Sequence, residues 1–432
     1  MNALTTDPSV VAALGLGHEA TARAATLLTL ARQALGAEPA WGWWVPGRIE
    51  VLGKHTDYAG GQVLNCATDL GLIAVARPRP DALVRVRSNG AVVEVPLTVD
   101  AVGNGGMSTY VAAVARRLAR HFPGLAIGID LAISANLPAA SGMSSSSALV
   151  IAVHLAISAA NHLRERAEYR AGLASDEDLV PYLGCHENGA GYRQFAGEAG
   201  VGTSGGSQDH AAILLSRAGR LNHWSFSPFH SLGSVPWPDD LVLTVGVSGV
   251  LAEKSAAARG HFNQVADRVR AAAAAWNRAS GRHDASIGAA ALACGGRAVL
   301  DAISDPDLRR RAEQTVVESE EIIPAAIAAL AAGDSLRFGE LTARSQALAE
   351  THLLNQVPET IALVAQARDQ GAVAASAFGA GFGGAVWAAF PRHRDHGDAW
   401  LADYRRRFPQ HAAGAQIHRI TPGPGATALA LP

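Results

Sequence analysis

Four stretches of this chain hold polar and glycine residues at a density that could do chemistry. The first is Leu137-Pro138-Ala139-Ala140-Ser141-Gly142-Met143-Ser144-Ser145-Ser146-Ser147-Ala148, a loop of small residues running straight into an apolar segment. The first N–H groups of a helix are unpaired and its dipole is positive there, so such a junction attracts anions. One serine is enough to cap a helix. Four in a row exceed that need; their hydroxyls can donate to phosphate oxygens, and one can bind a cation.

The second stretch is Gly47-Arg48-Ile49-Glu50-Val51-Leu52-Gly53-Lys54-His55-Thr56-Asp57-Tyr58-Ala59-Gly60-Gly61. A strand pattern ends at Gly53, and Lys, His, Thr, Asp and Tyr follow in one tight turn. That density of donors and acceptors suits the many hydroxyls of a sugar, whereas a solvated turn would account for Thr56 or Asp57 alone. The third, Gly202-Thr203-Ser204-Gly205-Gly206-Ser207-Gln208-Asp209-His210, leads into the apolar residues 211–215. They read as a buried strand with Asp209 at its entrance, where a carboxylate could take a hydroxyl proton. The fourth, Ser376-Ala377-Phe378-Gly379-Ala380-Gly381-Phe382-Gly383-Gly384, lets backbone approach a ligand or another backbone closely.

Two nucleotide motifs fail on inspection. Between Gly47 and Gly53 stand five residues where a P-loop has four, and His55 replaces the metal-binding Ser or Thr. Gly200 to Gly205 matches GxGxxG, but no apolar strand precedes it and no helix pattern opens after it. His393-Arg394-Asp395-His396 follows Pro391 and reads as a solvated turn, not a metal site.

The elements that must carry these stretches are mixed. Residues 8–36 read as helix, and short strands follow from Trp41 to about residue 97, separated by breakers such as Asn89-Gly90. Helices are predicted over 109–121 and 149–166, and a strand over 127–133. A new strand starts at Leu241 after Pro236-Trp237-Pro238. Ala-rich helices are predicted at 255–278, 306–332, 336–350 and 358–370, then a strand pair within 372–390. The fold class is therefore α+β, with domains over 1–235 and 236–432.

Composition narrows the functions. The 432 residues are 49% hydrophobic and 17% charged, as a globular chain of two domains should be. The net charge of −2 offers nothing to nucleic acid or an acidic membrane surface. Cys66, Cys185 and Cys294 are far apart, which excludes a disulfide framework and fits a reducing compartment. Asp7, His18 and Glu19 stand where a signal peptide would be apolar, and the longest apolar run, 148–160, is too short to span a bilayer. The expectation is a cytoplasmic protein, and a monomer is compatible with the sequence. Of 36 basic residues only Lys54 and Lys254 are lysines, which makes each worth attention.

In this order, the four stretches resemble the GHMP kinase superfamily, and its galactokinase branch most closely, from about Trp41 to Phe390. The resemblance implies a two-domain fold, ribosomal-S5-like in its N-terminal domain and ferredoxin-like in its C-terminal domain, with the active site in the cleft between. It implies ATP and Mg²⁺ as cofactors and a small-molecule sugar as partner, phosphorylated at the anomeric hydroxyl. Asp209 matches the catalytic aspartate and Arg48 the arginine beside it. Gly142, Met143, Ser144, Ser145, Ser146 and Ser147 would wrap the phosphates of ATP. Ser145 and Glu187 would bind Mg²⁺, with Glu198 a rival to Glu187. Lys54, His55 and Asp57 match sugar-contacting positions.

Two departures bear on the sugar. The branch has Glu where this chain has Lys54, and a lysine would suit an acidic sugar such as galacturonate. The branch's sugar-contacting Tyr after the first C-domain strand has no match in Ser248-Gly249-Val250-Leu251-Ala252-Glu253-Lys254-Ser255; Phe262 is the nearest aromatic. The competing readings are thus a galactose kinase, an acidic-sugar kinase and a non-catalytic sugar sensor.

Overall fold

The computed structural model describes residues 9–138, 141–250, 256–394 and 397–431. Asp7, Ala139, Ala140, residues 251–255 with Lys254, Asp395 and His396, named above, lie outside them. Strand β1 (Trp41–Leu52) is buried along nearly its whole length: helices cover both faces of its first half, and the second sheet packs on Ile49 and Val51. Pro46, which cannot donate to a ladder, sits at a register shift against the next strand, where no ladder bond is lost. The long β2 (Gln62–Arg79) turns back antiparallel to β1, so the polar turn between them stands at one end of the sheet.

Strands β3 (Leu83–Ser88), β4 (Ala91–Pro96) and β5 (Gly128–Ala135) extend the sheet in the order β1-β2-β5-β3-β4, with β3 and β5 parallel. The hairpin β6 (Arg220–Phe226) and β7 (Phe229–Pro236) pairs with the turn-proximal end of β2. A second, antiparallel sheet has the order β11-β8-β10-β9, from β8 (Leu241–Ser248), β9 (Ala374–Phe378), β10 (Ala385–Pro391) and β11 (Ala415–Ile420).

The chain does not divide at one point. After β11 it returns to the first sheet as β12 (Pro422–Gly423) against β2 and β13 (Thr427–Ala428) against β1. A cut at 235/236 would leave the edge of β1 bare, which sheets avoid. One apolar core also joins the sheets, packing Ile49, Val51 and Leu64 with Val245, Phe378 and Trp387.

The helices differ from the expectation at several points: residues 8–36 hold two, Ser9–Ala12 and His18–Leu35, and Ile287–Cys294, Gly296–Ala302 and Gly397–Arg407 are not among those predicted. Residues 211–215 belong to a helix, Gln208–Leu215, packed against β1 and β2, so Asp209 lies in a helix's first turn. A run of five apolar residues has no period long enough to separate strand from helix. Residues 167–172 and 176–188 add two short helices that the sequence pattern does not announce. The rod predicted at 306–332 contains a π-helical turn, Glu318–Ile322, between Pro306–Val317 and Ile323–Ala331. The wider turn tolerates Pro324, which has no N–H to donate.

Candidate active site

The helix Ser145–Ala160 is buried on most of its surface, so it lies fixed beneath the first sheet with its N-terminus at the cleft. Leading into it, Gly142 (φ 74°) and Ser144 (φ 62°) take the left-handed conformation. A non-glycine residue there is uncommon and points to a functional constraint. Ser144 does not cap the helix. Its hydroxyl donates to Asp209 Oδ2 at 2.5 Å, and Ser147 donates to Glu187 Oε1 at 2.6 Å. The serines therefore serve the cleft, not the helix end.

Arg48, on β1, donates from Nε to Asp209 Oδ1 at 2.7 Å and from Nη1 to the Gly142 carbonyl. Sheet, serine loop and Asp209 helix thus meet at one guanidinium. Burial pushes the Asp209 carboxyl up, but Arg48 and the Ser144 hydroxyl outweigh it and hold it below the usual carboxylate range.

The turn after β1 reverses at Gly53 (φ 91°), where a Cβ would stand 2.5 Å from the Gln62 carbonyl oxygen. Only glycine fits. Beyond it, Asp57 accepts the Gln208 N–H through Oδ2 at 3.1 Å, while its buried Oδ1 has no hydrogen-bond partner among the described residues. Burial pushes Asp57 up to about 6, against the pull of the Gln208 N–H. His55 Nε2 meets the Ala380 carbonyl at 3.1 Å, and its Nδ1 lies 2.6 Å from the Tyr58 hydroxyl. A carbonyl only accepts, so the ring proton sits on Nε2 and Nδ1 accepts from Tyr58. Burial and the Arg311 charge lower His55 to about 4, so it is neutral.

These groups line one cavity of about 270 Å³. It holds Arg48, His55, Asp57, residues 142–147, Glu187 and Asp209. Residues 378–384 wall its far side, as the fourth stretch implied. Tyr58 and Gln208, quoted in the second and third stretches without a role, also line it, as does Phe262, whose ring centre lies 5.4 Å from that of His55 and 6.5 Å from that of Tyr58. The Tyr in the polar turn was a sequence signal for this wall, and Phe262 is the aromatic nearest to the unmatched sugar-contacting Tyr position.

Two expected site residues sit elsewhere. Glu198 pairs with Arg116 at 3.3 Å and Arg120 at 3.2 Å and does not line the cavity, which leaves Glu187 as the carboxylate there. Lys54 is 1% exposed and also outside the cavity lining. Its ammonium points away, donating to Ser376 Oγ at 2.7 Å and Ser345 Oγ at 3.2 Å. The serine beside Glu187 is Ser147, two residues beyond Ser145, which is exposed at the mouth. Serine and carboxylate oxygens are hard ligands and suit Mg²⁺, which usually takes one or two protein ligands and fills its shell with phosphate and water.

Three family models match the chain: the galactokinase galactose-binding signature over residues 32–78, the GHMP kinases N terminal domain over 109–217, and the GHMP kinases C terminal over 326–409. The galactokinase of Roseiflexus sp. (strain RS-1) is 30% identical over 356 residues, covering 78% of this chain and 80% of that protein. The chain belongs to the galactokinase family. It is a sugar kinase of the GHMP type. The galactokinase of Pasteurella multocida (strain Pm70) is 26% identical over 368 residues, 84% of this chain and 88% of that one. The crystal structure of Lactococcus lactis galactokinase complexed with galactose superposes with a TM-score of 0.76 at 24% identity, over 93% of this chain and 99% of that one. The Methanococcus jannaschii mevalonate kinase shares the fold at a TM-score of 0.52 and 13% identity, over 88% and 96% of the two chains.

Proposed function

We propose that this galactokinase-family chain transfers the γ-phosphoryl group of ATP to the anomeric hydroxyl of galactose, with Mg²⁺. The observation that carries the reading is the chain of contacts from Arg48 through Asp209 to Ser144, which joins β1 to the serine loop inside one cavity, with the sugar turn tied to the Asp209 helix through Asp57 and Gln208. In the transfer, the anomeric oxygen attacks the γ-phosphorus, the bond to the β–γ bridging oxygen breaks, and the hydroxyl proton leaves towards Asp209. Asp209 is ion-paired and hence a weak base. Its main service is to aim the hydroxyl and receive the proton late, which a loose phosphoryl-transfer transition state permits.

Asp57 supports the sugar assignment because its free, buried Oδ1 can accept a sugar hydroxyl. His55 has both ring nitrogens engaged, so it fixes the turn and offers its ring edge to the ligand. The left-handed residues of the loop turn backbone N–H groups towards bound phosphate. Ser147 and Glu187 would hold Mg²⁺, which neutralises phosphate charge when bound.

A neutral sugar is favoured because Lys54, the residue that motivated an acidic one, donates to two serines away from the cavity. A non-catalytic sensor would not need the complete set of Arg48, Asp209, Ser147 and Glu187. The enzyme acts in the cytoplasm, in line with three free cysteines among the described residues. Among the described residues no helix is long and apolar enough to cross a membrane.

The test is ADP release with Mg·ATP across galactose, galacturonate and glucose. Release with galactose is expected. Release with galacturonate alone would overturn the substrate, and ATP binding without release on any sugar would restore the sensor.

A further inference from the structure

The sugar turn is gripped from behind by the second half of the chain. Gly53 N–H donates to Glu318 Oε2 at 3.2 Å. The Lys54 carbonyl accepts Gln314 Nε2 at 2.8 Å, and the His55 carbonyl accepts Arg311 Nη2 at 2.9 Å. Gln62 N–H, where the chain leaves the turn, donates to Ser319 Oγ at 3.0 Å. Glu318 and Ser319 belong to the π-helical turn, whose extra residue lets both side chains reach the turn.

Two side chains of the turn reach back into this grip: Tyr58 lies against the Arg311 guanidinium, and Lys54 runs deeper. Its Nζ binds Ser376 on β9 and Ser345 on the helix Ser335–Leu348. The Ser345 hydroxyl in turn donates to Glu318 Oε1, so lysine and glutamate meet through one serine. Ser376 also donates to Gln346 Oε1 at 3.0 Å, and Gln346 Oε1 receives Ala377 N–H at 3.0 Å. Four residues after Ser376, the Ala380 carbonyl receives His55 Nε2. Lys54 and His55 are therefore adjacent rivets between the sugar turn and the strand and loop that wall the cavity.

The lysine sits in a costly place. Burial lowers its pKa, while the carboxylates of Glu318 and Glu50 support the charged form. Removing one partner of a buried charged network leaves the other uncompensated.

We propose that Lys54 is a positioning residue: with Ser345, Ser376 and Glu318 it locks the His55–Asp57 turn against β9, and so sets sugar affinity without touching the sugar. The ligand used to read this rests on the galactose-kinase reading above.

The experiment compares the full chain with Lys54→Met, Glu318→Gln and the double variant, measuring KM for galactose, KM for ATP, kcat and melting temperature. Lys54→Met removes both serine contacts and is expected to raise the galactose KM about tenfold or more, with the ATP KM within about twofold. The double variant is expected to be no worse than the worse single one, because the two residues share one link. A merely structural lysine would lower the melting temperature and the active fraction but leave KM unchanged, since surviving molecules bind normally.

A galactose KM within about twofold of the parent's in Lys54→Met overturns the proposal. So does full additivity with Glu318→Gln. Should Lys54→Met fail to fold, Glu318→Gln alone decides: an unchanged galactose KM overturns the lock. The parent's own sugar panel separates the two readings. If the parent uses another sugar, the same KM comparison is made with that sugar. If it uses none, the cycle is read in melting temperature, where additivity overturns the link.

Discussion

Arg48 and Asp209 are separated by 161 residues of chain and meet at 2.7 Å, Nε to Oδ1. The arginine is 5% exposed and the aspartate 26%, so the pair presents mainly its acidic side to the cavity that both line. The guanidinium holds the carboxylate ionised and leaves Oδ2, beside Ser144, as the oxygen facing the phosphate loop.

Asp209→Asn keeps the shape and most hydrogen bonds of this pair but removes the proton acceptor. It should lower kcat by roughly 10²–10⁴-fold and leave the ATP dissociation constant within a few-fold. Calorimetric ATP titration beside ADP release checks both halves; near-parent turnover would remove Asp209 from the mechanism.

Asp57 should give the reaction an acid limb. Its carboxyl is pushed up to about 6, and only the ionised form accepts a sugar hydroxyl at both lone pairs of Oδ1. The galactose KM should therefore climb by up to about tenfold per pH unit below 6. A raised carboxyl pKa means the folded state binds that proton more tightly than the unfolded chain. Its stabilising contribution is full below the unfolded value and lost as pH rises through 6. Asp57→Asn should therefore melt above the parent at pH 7, with the difference vanishing near pH 4, while losing sugar affinity. Melting curves at both pH values and a KM–pH profile decide the matter.

Ser147 and Ser145 make different predictions for metal dependence. Ser147 touches Glu187 at 2.6 Å, whereas Ser145 is exposed at the cavity mouth. Ser147→Ala and Glu187→Gln should each raise the half-saturating Mg²⁺ concentration about tenfold or more, by loss of a charge-assisted contact. Ser145→Ala should move it less than about twofold. The reverse ranking would return the metal role to Ser145.

Gly206 carries the contact between the sugar turn and the loop before Asp209. A Cβ there would fall 2.2 Å from Asp57 Oδ2 and 2.9 Å from the Tyr58 N–H nitrogen. Gly206→Ala must displace Asp57. The expected result is a galactose KM at least about tenfold higher, with folding kept, because the cavity side of the turn can yield. An unchanged KM would show that Asp57 does not hold the sugar.

The chemistry of this protein is written locally. The serine run before an apolar helix, the polar turn after β1 and Asp209 beyond a glycine cluster are short segments whose residue types suggest a role, while the role of Arg48 came with the family resemblance. Side-chain direction is not local in the same way. The left-handed backbone at Gly53 and His55 sends Lys54 to one side of the turn and Asp57 to the other, and neighbouring residue types give no hint of which is which. The tertiary structure also chose between carboxylates. Glu187 faces Ser147 because its helix packs beside the helix Ser145–Ala160, while Glu198 is claimed by two arginines. The helical state of residues 208–215, the place of Phe262 beside His55, and the return of the C-terminal strands to the first sheet are packing outcomes of the same kind. Each depends on which surfaces the folded chain brings together, and a contact between distant segments leaves no mark on the spacing of either one.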